Sequence, residues 1–168
     1  MAPRLRPRLE ALETHPAWTE PPRASHINPY RDLLRCPKDD REIAVRELAR
    51  RGIPDEDARH LRPTYLSDYN KVSRRLMARH GFRNLTRAGL LSRRGNLIFY
   101  RHRLLLPLRH RNKLVGVAGL SLDAHLTPAV LLPHGLLLPH ATREKLDDFL
   151  GRPQKPAALD PQLTLGFR

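Results

Sequence analysis

Cysteine is nearly absent, with Cys36 the only one in 168 residues. A lone thiol excludes an intramolecular disulfide and a thiolate zinc cluster. Long apolar runs are missing as well. A membrane-spanning helix needs about 20 consecutive apolar residues. The richest stretch, Ala129 to Pro139, is shorter and is broken by Pro133 and Gly135. The opening MAPRLRPRLEALE is basic but has no apolar core of the kind a secretory signal carries. These absences predict a soluble, cytoplasmic protein with no membrane role. Acid is the most unevenly missing element: from Tyr69 to Leu122 there is no Asp or Glu, while 13 Lys and Arg fall in the same window.

What is present is a strongly basic chain, with 31 Lys and Arg against 17 Asp and Glu and a formal charge of +14. Hydrophobic residues at 40% are enough to exclude a wholly disordered chain. The first 40 residues and residues 113–168 are each close to neutral at +1, whereas 41–112 carries +12. A solvated surface without a polyanionic partner normally intersperses both signs. The segregation therefore points to nucleic acid.

Proline partitions the chain in a similar way. Seven of 16 prolines precede residue 41 and six follow residue 127. Proline removes a donor and clashes with the preceding helical turn. Residues 1–40 accordingly read as an extended arm anchored by Trp18 and Tyr30, 41–150 as the folded domain, and 151–168 as a coil tail. Within the domain, Asp40 can cap a helix running to Arg51, stopped by Gly52, and Pro54 opens another short helix. Ser67 or Asp68 caps a third over 69–80, with Val72, Leu76 and Met77 inward, and Gly81 ends it. A fourth, over about 83–89, leads to Ala88-Gly89-Leu90.

Beyond the turn SRRGN, Ile98, Tyr100, Leu104, Leu106 and Leu108 alternate as in a strand, which places Tyr100 on the apolar face. Pro107 makes that strand an edge or a bulged one. Asn112 marks a hairpin turn, and Leu114 to Leu122 return, with Gly116 and Gly119 leaving room for something packed above. A last helix spans 142–150. The expected fold class is α+β, with small helices followed by a mostly antiparallel sheet.

Nine residues form the candidate binding set: Lys71, Arg74, Arg75 and Arg79 on the third helix, then Arg101, Arg103, Arg109, Arg111 and Lys113 around the hairpin. Together they would line a groove that neutralises phosphates, with affinity falling as salt rises. Among nine histidines, no two fall at i,i+4 beside a carboxylate, so no metal site is expected. Asp55-Glu56-Asp57 lies in a short helix and lacks the strand context of a metal-binding pair. Ser121 and Cys36 have no positioned base, so no nucleophile is expected. Leu131, Leu132, Leu136, Leu137 and Leu138 read as core or as a docking patch.

The order of motifs resembles the N-terminal subdomain of the catalytic core of bacterial DnaG-type DNA primases. The matching steps are Arg51-Gly52-Ile53, Ala88-Gly89-Leu90, Tyr100-Arg101-His102-Arg103 with Leu106-Pro107-Leu108, and Val115-Gly116-Val117-Ala118-Gly119-Leu120, over about residues 43–133. The resemblance implies a partner of single-stranded DNA, or a DNA–RNA hybrid, in replication or a mobile element. The family has arginine where this chain has Leu120, and Lys-Tyr where it has Ala129-Val130. Its zinc module and its Mg²⁺-holding toprim half have no counterpart here. The chain is therefore expected to bind no cofactor itself and to take part in primer synthesis only with a toprim-bearing partner; a helicase is a further candidate partner. The rival expectation is a non-enzymatic adaptor or inhibitor that docks a replication protein through its leucine-rich segment.

Overall fold

Glycine stops, proline-opened helices and one tight turn divide the chain into its elements. The computed structural model describes residues 24–150 apart from Cys36, Ala124 and Thr127. Helix α1 spans Ala24–Leu33, α2 Lys38–Arg50, α3 Asp55–His60, α4 Tyr69–Arg87 and α5 His140–Leu150. A short 3₁₀ turn covers Ile98–Tyr100. Strands β1 (Thr64–Tyr65), β2 (Leu104–His110), β3 (Lys113–Leu120) and β4 (Val130–Leu131) make one antiparallel sheet in sequence order. The class is α+β, as patterning predicts. No helix among the described residues is long and apolar enough to cross a membrane.

Two helices end by the same device. At the end of α2, Gly52 takes φ +84° and the Gly52 and Ile53 amides donate back to Ala49 and Leu48. At the end of α4, Gly89 takes φ +72°, and the Gly89 and Leu90 amides donate to Thr86 and Leu85. Both are Schellman stops, in which the residue after the glycine packs on one a turn earlier. Ile53 and Leu48 are both buried, as are Leu90 and Leu85. Asp68 caps α4 by accepting from the Lys71 amide. Gly81, at φ +72° and ψ +160°, breaks that helix where the sequence predicts, and a second helical piece continues to Arg87.

The β2–β3 hairpin turns on Arg111 and Asn112, both with positive φ (+48° and +63°). That is the twist-matched two-residue geometry. A bulge falls between Leu108 and Arg109. β2 is not an edge, since it pairs with both β1 and β3, but β1 reaches only Leu104 and Leu105. Pro107 thus meets no strand on its far side, where its missing donor costs nothing. The sheet is covered on both faces. Leu104, Leu106 and Leu120 pack with Val45 and Leu48 of α2, while Leu105 and Val117 join Phe99, Leu76 and Leu33. A Cβ on Gly116 would lie 2.5 Å from Leu136, and one on Gly119 would overlap the Phe99 ring.

Asp40, expected to cap α2, instead lies in its first turn, because the helix begins at Lys38 directly after Pro37. Two further expectations are corrected. Residues 24–33, read as extended chain, form α1 despite Pro29 at its sixth position. A proline inside a helix costs about 3 kcal/mol, but Tyr30 and Leu33 are fully buried, each contributing roughly 1.5–3 kcal/mol. Packing outweighs propensity. The rest of the arm, with Trp18, and the tail 151–168 lie outside the described residues. The second correction is one of phase. Leu97 and Phe99 are buried while Tyr100 is 58% exposed, so the alternation runs one residue out of step with the reading that put Tyr100 in the core. The 3₁₀ turn causes the slip, and strand geometry begins only at Leu104.

Candidate nucleic-acid interface

The acid-free window covers α4, the turn after it, the entry to β2 and the whole hairpin, so its cations sit on consecutive elements. They are spread along the sheet and α4 rather than clustered at one point. β2 separates Arg101 and Arg103 at its start from Arg109, Arg111 and Lys113 at its end by about 20 Å, at roughly 3.3 Å per residue.

At the start of β2, the Arg103 guanidinium lies 5.8 Å from the Tyr69 ring centre and 5.4 Å from that of Tyr100. The two rings meet edge to face, 5.2 Å apart at 79°. Arg103 also donates to the carbonyls of Tyr100 (3.0 Å) and Ser67 (3.3 Å), which ties the β2 entry to the N-terminus of α4. Tyr69 donates its hydroxyl to the Leu97 carbonyl at 2.6 Å. Partial burial raises the Tyr69 phenol above its ordinary pKa, with Arg103 opposing. Tyr100 is thus an exposed ring held from below by a cation and a second ring, an arrangement each partner stabilises.

An open cleft of about 340 Å³ lies beside it, lined by Tyr65, Tyr100, Arg101, Arg103, Leu122, Asp123 and Leu126. Arg101 is exposed. The cations of Arg101 and Arg103, two tyrosine rings and two leucines offer a flat apolar body with positive charge beside it, the complement of a base with its phosphate. Asp123 is the one acid at the rim and is engaged locally, accepting from the His125 amide at 2.8 Å.

The remaining predicted residues sort by what they touch. Arg75 donates to the carbonyls of Asp32 (2.9 Å) and Arg35 (3.3 Å), capping the end of α1. Arg79 pairs with Asp32 at 3.0 Å, and His80 Nε2 meets the same carboxylate at 2.6 Å. Those two arginines pin α1 to α4. Arg74 folds back towards the Asn70 carbonyl, and Lys71 is exposed on the first turn of α4. At the hairpin tip Arg109 donates to Asn112, and Arg111 and Lys113 are exposed.

Other side chains have structural duties. His102 is buried and bonds the Pro128 carbonyl at 2.6 Å. Arg51 reaches the Ser121 carbonyl, and burial lowers its pKa against the opposing pull of Glu47. Leu136 and Leu138 are core. Among the described residues no group of three His, Cys, Asp or Glu is placed to hold a metal ion.

Sequence reasoning missed Tyr65, Tyr69 and Phe82. Tyr69 opens the acid-free window and immediately follows the helix cap, a signal that was available. Compared with models of known protein families, with curated proteins and with solved structures, the chain matches none of them.

Proposed function

We propose that this chain is a primase-like nucleic-acid-binding domain that holds single-stranded DNA template, or a primer–template hybrid, during replication in the cytoplasm. The observation that carries the reading is the exposed Tyr100 ring, propped by Tyr69 and Arg103 beside Arg101, which is exposed and shows no partner among the described residues. An aromatic platform with an adjacent unpaired cation is how sequence-tolerant proteins grip single strands. The acid-free window adds the long-range field that draws a polyanion in. The motif order shared with primase cores supplies the replication setting. Primer synthesis would fall to a toprim-bearing partner that brings its own Mg²⁺. The adaptor reading has less support, because Leu136 and Leu138 of its docking segment are buried.

Fluorescence anisotropy with labelled single- and double-stranded oligonucleotides over a salt series tests this. Single strands should bind more tightly than duplex, and log affinity should fall with log salt by about 0.7 per phosphate contact. Tyr100→Ala should weaken single-strand binding by roughly 5- to 150-fold, the equivalent of about 1–3 kcal/mol per stacked base. Absent or salt-independent binding overturns the reading.

A further inference from the structure

Phe82 is as exposed as Tyr100, at 58%, and no part of the site above accounts for it. It is the first residue after the Gly81 break in α4, and its carbonyl is held by the Thr86 hydroxyl at 2.8 Å. Its ring edge rests on the turn that follows: a Cβ on Gly95 would lie 3.2 Å from Phe82 Cε2. That turn is closed on itself. Ser92 donates to the Asn96 carbonyl at 2.8 Å, Gly95 to that of Ser92 at 2.9 Å, and the Asn96 amide reaches the Ser92 hydroxyl at 3.3 Å. Arg93 and Arg94 are carried at its tip, both exposed. Arg83 and Arg87 are exposed on the helical piece that Phe82 begins. The sequence window that carries them contains no acid, and none of the four forms an ion pair among the described residues.

A single exposed phenylalanine on a mixed surface needs no explanation. This one rests against a hydrogen-bonded turn that carries two exposed arginines, with no ion pair to either among the described residues, which suits a ligand with flat apolar faces and regular negative charge. We propose that Phe82 and the Arg93–Arg94 turn form a second base-stacking site for single-stranded nucleic acid. The inference rests on the function proposed above and extends it to a strand path. Tyr69, beneath the first site, and His80 are 11 residues apart on the first piece of α4, or about 17 Å at 1.5 Å per residue, and Phe82 follows just past the Gly81 break. A strand stacked at about 3.4 Å per nucleotide needs at least roughly five nucleotides to cover that distance. Affinity should therefore depend on length across that value.

The test uses labelled oligothymidylates of about four and twelve nucleotides with the full chain. Wild type should bind the longer one more tightly. Phe82→Ala should cost the longer oligomer on the order of ten-fold and leave the shorter within about two-fold, since only the longer reaches both platforms. Phe82→Trp should retain long-oligomer affinity. Charge reversal at Arg93 and Arg94, on an exposed turn, provides a second variant set with the same length signature. If wild type binds but Phe82→Ala and the arginine reversals leave the twelve-mer unchanged, the second site is wrong and the first stands. A melting point lowered by Phe82→Ala with unchanged affinity assigns the ring to packing alone. If wild type binds neither oligomer, both proposals fall.

Discussion

Replacing Tyr30 with phenylalanine removes one oxygen from a fully buried ring and leaves its volume almost unchanged. That oxygen donates to the Ala88 carbonyl at 2.8 Å, across 58 residues, joining α1 to the end of α4. Ala88 is itself buried, so the variant strands a carbonyl that water cannot reach. An unmet buried acceptor costs about 1–3 kcal/mol. For a domain of this size, each kcal/mol moves the midpoint by roughly 3–5 °C. Thermal unfolding followed by circular dichroism should therefore show Tyr30→Phe melting several degrees below wild type at neutral pH.

A second signature separates this cause from general damage. Burial lifts the Tyr30 phenol well above its ordinary value near 10. The folded chain keeps that proton while the unfolded chain releases it above pH 10. The stabilisation is complete below pH 10 and is lost as pH rises beyond it, at about 1.4 kcal/mol per pH unit. Phenylalanine has no proton to lose. The stability gap between the two proteins should close within about one to two pH units above 10. An unchanged melting point at neutral pH, or a gap that stays constant into alkali, would refute the docking of α1.

Arg75→Ala and Arg101→Ala should separate folding from binding. Arg75 holds two carbonyls at the end of α1, so its loss should cost about 1–2 kcal/mol in denaturant unfolding and leave oligonucleotide affinity within two-fold; Arg101→Ala should do the reverse. An Arg75 variant that binds poorly while folding normally would contradict this division. Gly119→Ala forces a methyl against the Phe99 ring and within 2.9 Å of the His102 carbonyl. Overpacking of this kind costs about 1–3 kcal/mol, and a loss below about 0.5 kcal/mol in urea unfolding would mean that Phe99 can move.

Local rules made much of the fold legible. The glycine stops at Gly52 and Gly89, the break at Gly81, the Asp68 cap and the Asn112 turn are each set by residues within a few positions. What escaped is non-local or depends on phase. Pro29 argues against a helix on propensity, and only the distant Ala88 carbonyl and the buried Leu33 site make α1 worthwhile. The alternation Leu97, Phe99 against Ile98, Tyr100 is present in the sequence, but a 3₁₀ turn and a strand share it, and they differ in which residues face in. The charge run marks the basic elements without resolving their arrangement. Spacing along the chain cannot show that Arg75 and Arg79 turn towards α1, or that β2 parts the remaining arginines into two groups.

The structure also redistributes the weight of the primase resemblance. Arg51-Gly52-Ile53 and Ala88-Gly89-Leu90 turn out to be one helix-ending device used twice, and any α+β domain with Schellman stops meets that requirement. Gly116 and Gly119 likewise answer to the side chains of Leu136 and Phe99. The segment Tyr100-Arg101-His102-Arg103 is different, because its four residues have separable duties. His102 is buried on the Pro128 carbonyl, and Arg103 is occupied by two tyrosine rings and the carbonyls around it. Folding accounts for those two. It does not account for an exposed tyrosine and an exposed arginine that shows no hydrogen bond or ion pair among the described residues, side by side at the mouth of a cleft. Arg101 makes no fold contact among the described residues, whereas Tyr100 also touches Tyr69 and Arg103, so a binding defect in a Tyr100 variant is read beside its melting point. Tyr100 and Arg101 are therefore the positions at which the functional reading stands apart from the structural one.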